Sequence, residues 1–248
     1  DPYSSLDPSM TVGASIAEPL RNVSGKRGEE LDQAVAHLME QVTLRAGHRH
    51  RYPHEFSGGQ RQRIAVARAI SSSPKLIICD EAVSALDVST QNQILRLLKD
   101  LQRDLGIAFL FVTHDLSVVW HIAHKVAVMY LGELVEFAPA DRVLESPAHP
   151  YTRGLIDVVP IPDPRAQRER RQVVPSGEVA DPANPPRGCA YHPRCPEVMD
   201  LCRLESPEWR SIGTSGHRVR CHLYESDVPV PVSIQRNGSQ RVIRPEKR

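Results

Sequence analysis

Two adjacent carboxylates, Asp80 and Glu81, follow directly on the apolar run Leu76-Ile77-Ile78-Cys79. Such a run reads as a buried parallel strand that delivers acids at its C-terminal end, where open α/β sheets place their ligands. Upstream, Phe56-Ser57-Gly58-Gly59-Gln60 opens an apolar-periodic run through Ile64, Ala67, Ala69 and Ile70. Ser57 and Gln60 have capping-box spacing, so a helix should start there. The two glycines leave N–H groups of its first turn uncovered, and the helix dipole adds partial positive charge, so an anion can sit close. Downstream, His114 follows a second apolar strand in Phe111-Val112-Thr113-His114-Asp115, and Ser84-Ala85-Leu86-Asp87 lies between. Taken singly each piece has a plain reading. SGGQ alone is a capped helix with flexible glycines, and any α/β protein can end a core strand with acids or a histidine. In this order the coincidence is hard to sustain.

The elements that must position these groups follow from periodicity. A short helix is expected near Val12–Leu20, within a Pro/Ser/Gly-punctuated opening. Leu31, Val35, Leu38 and Val42 then recur at i, i+4, i+7 and i+11, an amphipathic helix of about four turns. Pro74-Lys75 stops the helix that Ser57 begins. Thr90–Leu105 reads as a second amphipathic helix with Ile94, Leu97, Leu98, Leu101 and Leu105 on its buried face. Ile107–Val112 is the next core strand, and Val126–Tyr130 with Glu133–Phe137 reads as a hairpin turning at Leu131-Gly132. His48, His50 and His54 read as polar loop histidines, since no acid or thiol completes a ligand set around them. Cys79 reads as a small buried hydrophobe.

Composition narrows the class. The chain has 248 residues, enough for one large domain or two small ones. A formal net charge of +1 argues against bulk electrostatic attraction to nucleic acid or membrane. No apolar run approaches the ~18 residues that span a bilayer, so a membrane role would come through a partner. The opening DPYSSLDPSM is polar and turn-rich, unlike a signal peptide. Five cysteines, one on a core strand, fit a reduced cytosolic setting better than a secreted disulfide scaffold.

Four of these motifs together resemble the ATP-binding cassette (ABC) ATPases. FSGGQ is similar to their LSGGQ signature, LIICDE to their Walker B strand, SALD to their D-loop and His114 to their switch histidine. The resemblance runs from the first residues to about Phe137, and it implies an α/β, P-loop NTPase-like ABC ATPase core with a helical subdomain. It implies further that ATP and Mg²⁺ are bound, with Asp80 holding Mg²⁺ through water, Glu81 as general base and His114 contacting the γ-phosphate. Ser57, Gly58, Gly59, Gln60 and Asp87 would then bind nucleotide, with Ser57, Gly59 and Gln60 acting across a head-to-tail dimer. Ala82 stands where the family usually has proline; both acids remain in place, so activity is expected to survive. The family's GxxxxGK[ST] phosphate loop has no counterpart here. Asp1–Pro8 looks like the segment after the family's Q-loop glutamine, which leads to the expectation that the core is incomplete and a longer polypeptide supplies the rest.

From Pro139 proline becomes frequent and the apolar residues lose any long period. MTVGASIAEPL near the start, the HPYT segment within Ser146–Arg153 and Val159–Pro164 resemble the ATP-binding subunits of oligopeptide and dipeptide importers. Arg165–Arg171 reads as a solvated arginine-rich linker, because no aromatics interleave with its charges. Cys189-x5-Cys195-x6-Cys202-x18-Cys221 points to metal rather than disulfides in a cytosolic chain. No spacing is the tight CxxC of zinc ribbons. The open spacing is compatible with a [4Fe–4S] cluster, and it is similar to a cysteine motif in many peptide-transporter ATP-binding subunits. Zinc is the alternative, with free thiols as the plain reading; His192, His217 and His222 lie near enough in sequence to substitute as ligands.

The expected organisation is residues 1–74 as helical and signature subdomain and 75–138 as catalytic core. Residues 139–225 form a small irregular Cys-containing C-terminal domain, and 226–248 a disordered tail. The expected function is an ATPase that energises peptide import from the cytoplasmic face of the membrane. Its partners would be a second ABC ATPase subunit or domain, transmembrane permease subunits and, indirectly, an extracytoplasmic peptide-binding protein, with no nucleic acid. Two other readings stay open: a non-hydrolysing or regulatory half that lends its signature to a partner, and a soluble ABC ATPase outside transport. A weaker one makes the cysteine region a redox or metal sensor.

Overall fold

A computed structural model describes residues 5–159, 181–214 and 216–225. Readings on the first four residues, on most of Val159–Pro164, on Arg165–Arg171 and on the tail from Ser226 lie outside the described residues. The chain divides into two compact units, Asp1–Ile122 and Ala123–Arg248.

In the first unit, helix α1 (Val12–Val23) begins at Thr11, whose hydroxyl accepts the Ala14 N–H at 3.3 Å. Val12, Ile16, Ala17 and Leu20 recur on one face and are buried, so the helix continues past its expected end even though Pro19 lies within it. Helix α2 (Gly28–Gln41) buries Leu31, Val35, Leu38 and Met39 on the same periodic logic. Helix α3 (Gly58–Ile70) starts where the capping-box spacing places it. Strands β1 (Leu76–Asp80) and β2 (Ala108–Val112) pair in parallel, with Asp80 opposite Val112. They are joined through α4 (Val88–Leu105), which Gly106 closes in a left-handed conformation, and α5 (Leu116–Ile122) follows β2. Ile64, Ala67, Ile94, Leu98 and Val118 lie in one apolar core with the buried faces of α1 and α2.

Two sequence expectations change here. Leu105 is exposed, because the stripe of α4 has turned to the surface by its last residue. The β1–β2 pair is covered on one face only: Ile77, Phe109 and Phe111 pack on the core, whereas Leu76, Ile78, Leu110 and Val112 are half or more exposed. An all-parallel sheet ordinarily carries cover on both faces, and none of the described residues supplies it on the second.

In the second unit β3 (Lys125–Tyr130) and β4 (Glu133–Pro139) form the expected hairpin. Leu131 and Gly132 both take positive φ, 46° and 80°, the backbone of a two-residue turn whose twist matches the strands. The sheet continues through β6 (His217–Arg220) to β5 (Trp209–Ile212), in the antiparallel order β3-β4-β6-β5. The proline-rich stretch read as irregular therefore contributes two strands to the same sheet as the hairpin. Helices α6 (Ala140–Glu145) and α7 (Pro150–Val158) follow β4. Tyr130, Tyr151 and Tyr191 meet with ring centroids 4.7 to 5.4 Å apart.

The polar centre of this unit is Glu136, fully buried on β4. Its carboxylate accepts the Ala148 and His149 N–H groups, each at 2.8 Å, and lies 2.7 Å from His217 Nε2. His149 then caps α7, its Nδ1 accepting the Tyr151 N–H at 3.0 Å, with Pro150 at the first helical position. Burial, with Arg153 nearby, pushes the His149 imidazole down to about 3. Arg153 in turn donates to both Glu197 oxygens at 3.0 and 3.1 Å and to the Ala148 carbonyl at 2.8 Å. The HPYT residues thus act, in this unit, as the joint between a helix cap and a sheet.

Candidate functional site

The parallel register of β1 and β2 delivers Glu81 and His114 to the same edge. The Glu81 N–H donates to the Val112 carbonyl at 2.9 Å, continuing the ladder one residue past β1. His114 Nδ1 stands 3.0 Å from Glu81 Oε1. A carboxylate can only accept, so the proton of this bond belongs to Nδ1. Both side chains are more than half exposed, so the pair contributes little to stability and its value is in orientation. Glu81 takes a positive φ of 46°, with its carbonyl accepting from Ser84 N–H at 3.1 Å and Ser84 Oγ at 2.9 Å. Asp80 is exposed at the strand end, and among the described residues its carboxylate makes no hydrogen bond or ion pair. Its lone pairs are open to a hydrated cation.

At the start of α3 both halves of the capping box form: Ser57 Oγ accepts the Gln60 N–H at 3.4 Å, and Gln60 Oε1 accepts the Ser57 N–H at 3.0 Å. Ser57 and Gln60 are exposed and the two glycines half-buried. Among the described residues no hydrogen bond joins this tip to Asp80, Glu81 or His114. Gly59 lies against α4, where a Cβ would come within 2.3 Å of Thr90 Cγ2.

Asp87 is the N-cap of α4. Oδ1 accepts from Ser89 N–H, Ser89 Oγ and Thr90 N–H at 3.1, 2.9 and 3.0 Å, and Oδ2 from Thr90 Oγ1 at 2.7 Å. These bonds, those of Thr90 foremost, hold its carboxyl down to about 2. A further tie, unforeseen from the sequence, runs from Gln91 Nε2 to Asp115 Oδ2 at 3.1 Å and joins α4 to the turn carrying His114. Asp115 also accepts from Ser117 N–H at 2.8 Å. The Asp-x-Ser spacing of a helix start was the available signal for it. Thr90 had one too, standing three residues after the Asp87 cap.

Among the loop histidines ahead of α3, His54 stacks on Tyr52 and His48 meets Phe56 edge-on. Cys79 is buried, and burial pushes its thiol up to about 11, as an inert core thiol requires.

The four-cysteine centre is a different matter. Cys189, Cys195, Cys202 and Cys221 are free thiols close enough to feel one another's charge. Desolvation pushes Cys195 and Cys221 up to about 12 and raises Cys189. Yet among the described residues no group of three or more His, Cys, Asp or Glu side chains stands as a metal-holding set. A preassembled [4Fe–4S] or zinc centre is therefore not what the thiols form as placed. Two of the cysteine segments lie close: the Cys189 N–H donates to the Cys202 carbonyl at 2.8 Å, and a Cβ at Gly188 would meet that carbonyl oxygen at 2.4 Å. The two segments are thus held main chain to main chain. His217 and His222 are engaged elsewhere, the first on Glu136 and the second on Glu225 at 2.8 Å.

Among the described residues no helix is long and apolar enough to cross a membrane.

Comparison with known proteins identifies the family. Residues 2–84 match the family described as ABC transporter, and residues 135–202 the family described as oligopeptide/dipeptide transporter, C-terminal region. The oligopeptide transport ATP-binding protein AppF of Bacillus subtilis is 45% identical over 90% of this chain, which covers 68% of that protein. The di/tripeptide transport ATP-binding protein DppF of Pseudomonas aeruginosa is 47% identical over 91% of the chain and 68% of its own length. The oligopeptide transport ATP-binding protein OppF of Escherichia coli is 48% identical over 89% and 66%. A Sinorhizobium fredii relative, named as a peptide ABC transporter ATP-binding protein, is 51% identical over 90% of the chain, which spans 62% of that relative's length. Among solved structures, a metal-chelate type ABC transporter in an inward-facing conformation is similar with a TM-score of 0.53 at 27% identity, over 61% of this chain and 59% of that one. The chain belongs to the oligopeptide/dipeptide family of ABC transporter ATP-binding proteins.

Proposed function

We propose that the full-length protein hydrolyses ATP to drive peptide import through a transmembrane permease, working at the cytoplasmic face as one of two ATPase subunits or domains. The Glu81–His114 pair at the ends of two parallel strands carries this reading. Glu81 accepts a proton from the water that attacks the γ-phosphorus as the bridging P–O bond breaks. His114 fixes the carboxylate for that task. Bound Mg²⁺, held by Asp80 through water, would neutralise charge on the phosphates. The tip of α3 is a helix N-terminus that, among the described residues, makes no hydrogen bond to Asp80 or Glu81, which suits contact with ATP held by a partner's phosphate loop. The names of the relatives support peptides as cargo, and the proposal includes an extracytoplasmic binding protein that would supply them.

The test is to purify the full-length protein from membranes and measure ATP turnover with and without peptide. Co-purification with an integral membrane permease and peptide-stimulated turnover are expected. Turnover without any membrane partner would favour a soluble ABC ATPase; a permease complex in which only the partner subunit hydrolyses ATP would favour the non-hydrolysing half.

We further propose that the four thiols serve a [4Fe–4S] cluster in the full protein. Their burial and their spacing in the sequence support this, and binding iron would release the protons that desolvation keeps on Cys189, Cys195 and Cys221. As placed, the described residues do not form the cluster's site, and no step of ATP hydrolysis depends on it. An anaerobic preparation is expected to be brown with stoichiometric iron. A colourless protein, with zinc or with no metal, rejects the reading.

A further inference from the structure

We infer that Thr90 is a positioning residue that locks Gly59 to Asp87, so that the tip of α3 and the segment Ser84–Asp87 move as one body within a single chain. Two faces of one small side chain carry this. The methyl Cγ2 fills the space in front of Gly59, where any Cβ would come within 2.3 Å. The hydroxyl donates to Asp87 Oδ2 at 2.7 Å, while the Thr90 N–H donates to Oδ1 at 3.0 Å. Methyl and hydroxyl share one χ1 angle, so the methyl cannot swing away from residue 59 without taking the hydroxyl off Asp87.

A second tie reinforces the first about one turn along each helix. Arg63 on α3 donates to Gln93 Oε1 on α4 at 3.3 Å and to the Val42 carbonyl at the end of α2 at 3.2 Å. The N-terminal turns of α3 and α4 are therefore joined by packing at Gly59 and by hydrogen bonds at Arg63. Gly59 has two separate reasons to lack a side chain. It leaves the N–H groups of the α3 tip open to an anion, and it leaves room for Thr90. In the proposed function, on which only this consequence rests, a signature tip that closes on the partner's nucleotide carries Asp87 with it.

The two reasons can be separated by genetics. In the full-length protein, the Asp87 carboxyl is titrated by NMR without nucleotide in wild type, Gly59→Ala, Gly59→Ala/Thr90→Ser and Thr90→Val. The wild-type midpoint is expected at about 2. Gly59→Ala should displace Thr90 and raise the midpoint toward the ordinary aspartate value of 3.8. Adding Thr90→Ser removes the obstructing methyl, keeps the hydroxyl and should return the midpoint to wild type. Thr90→Val keeps the packing and lacks the hydroxyl; it should raise the midpoint by itself, and it decides the matter where Gly59→Ala fails to fold. An Asp87 midpoint unmoved by Gly59→Ala or by Thr90→Val overturns the coupling, as does a double variant that titrates like Gly59→Ala. ATP turnover of the same proteins is the second readout, with recovery of about tenfold or more expected in the double variant over Gly59→Ala. Absence of turnover in the wild type would sink the ATPase reading and leave the titration to judge the coupling.

Discussion

Glu81→Gln is expected to stop ATP turnover in the full-length protein, by about 10²- to 10⁴-fold, while nucleotide remains bound. Gln has the shape of Glu and can still accept a hydrogen bond from His114 Nδ1, so the 3.0 Å contact between the two strand ends can persist. What the amide lacks is the capacity to take a proton at neutral pH. Binding should survive because Asp80, proposed above to hold the cation, is untouched and because the role proposed for Glu81 is on the attacking water rather than on the phosphates. Single-turnover hydrolysis with equilibrium nucleotide binding separates the two effects. Wild-type steady-state turnover in this variant would remove Glu81 from the chemistry. His114→Ala should lower turnover in the same assay, since the carboxylate would then lose its orienting partner. Ala82, in place of the proline usual in the family, leaves Glu81 free of the restriction that proline imposes on the residue before it. The positive φ of Glu81 is thus adopted without that added constraint.

Glu136→Ala is expected to be the most damaging substitution for stability in the second unit, at about 3–5 kcal/mol. The carboxylate is fully buried and receives two backbone N–H groups, from Ala148 and His149, besides lying against His217 Nε2. Truncation leaves three buried polar groups without their acceptor, and each unpaired group carries its own desolvation penalty. It also frees the chain just ahead of α7, whose cap His149 is held in place by the same carboxylate. Glu136→Gln should cost less, because one oxygen remains to accept while the amide NH₂ faces donors. Urea unfolding of the full-length protein, followed by a probe in the second unit, checks both. A loss below about 1 kcal/mol for the alanine variant would show that water or a rearranged His217 replaces the carboxylate.

Much of the candidate site was legible before any coordinates, because its pieces are local. Ser57 and Gln60 close a box three residues apart, Asp87 stands just ahead of an amphipathic run, and apolar strands end at Asp80 and near His114. Local geometry of this kind depends on neighbours in sequence, so spacing suffices to see it. The hairpin at Leu131-Gly132 was visible for the same reason. The four thiols show where that approach stops. Their spacing admitted a cluster, but whether sulfurs converge is set by contacts between segments distant in the chain, and among the described residues no such metal-holding group stands.

Glu136 illustrates the same limit from the other side. Nothing in the hairpin's own sequence singles out Glu136, and the return of β6 and of the HPYT segment is what surrounds it. By itself the sequence determined the candidate residues for handling phosphate and water, most of the helices and strands that carry them, and the family likeness. Tertiary structure decided that Glu81 and His114 meet, that Thr90 stands between Gly59 and Asp87, and that Glu136 is the buried centre of the second unit. The division is physical: capping and periodicity are set within a few residues, whereas parallel register and the burial of a charge are set by contacts between segments far apart in the chain.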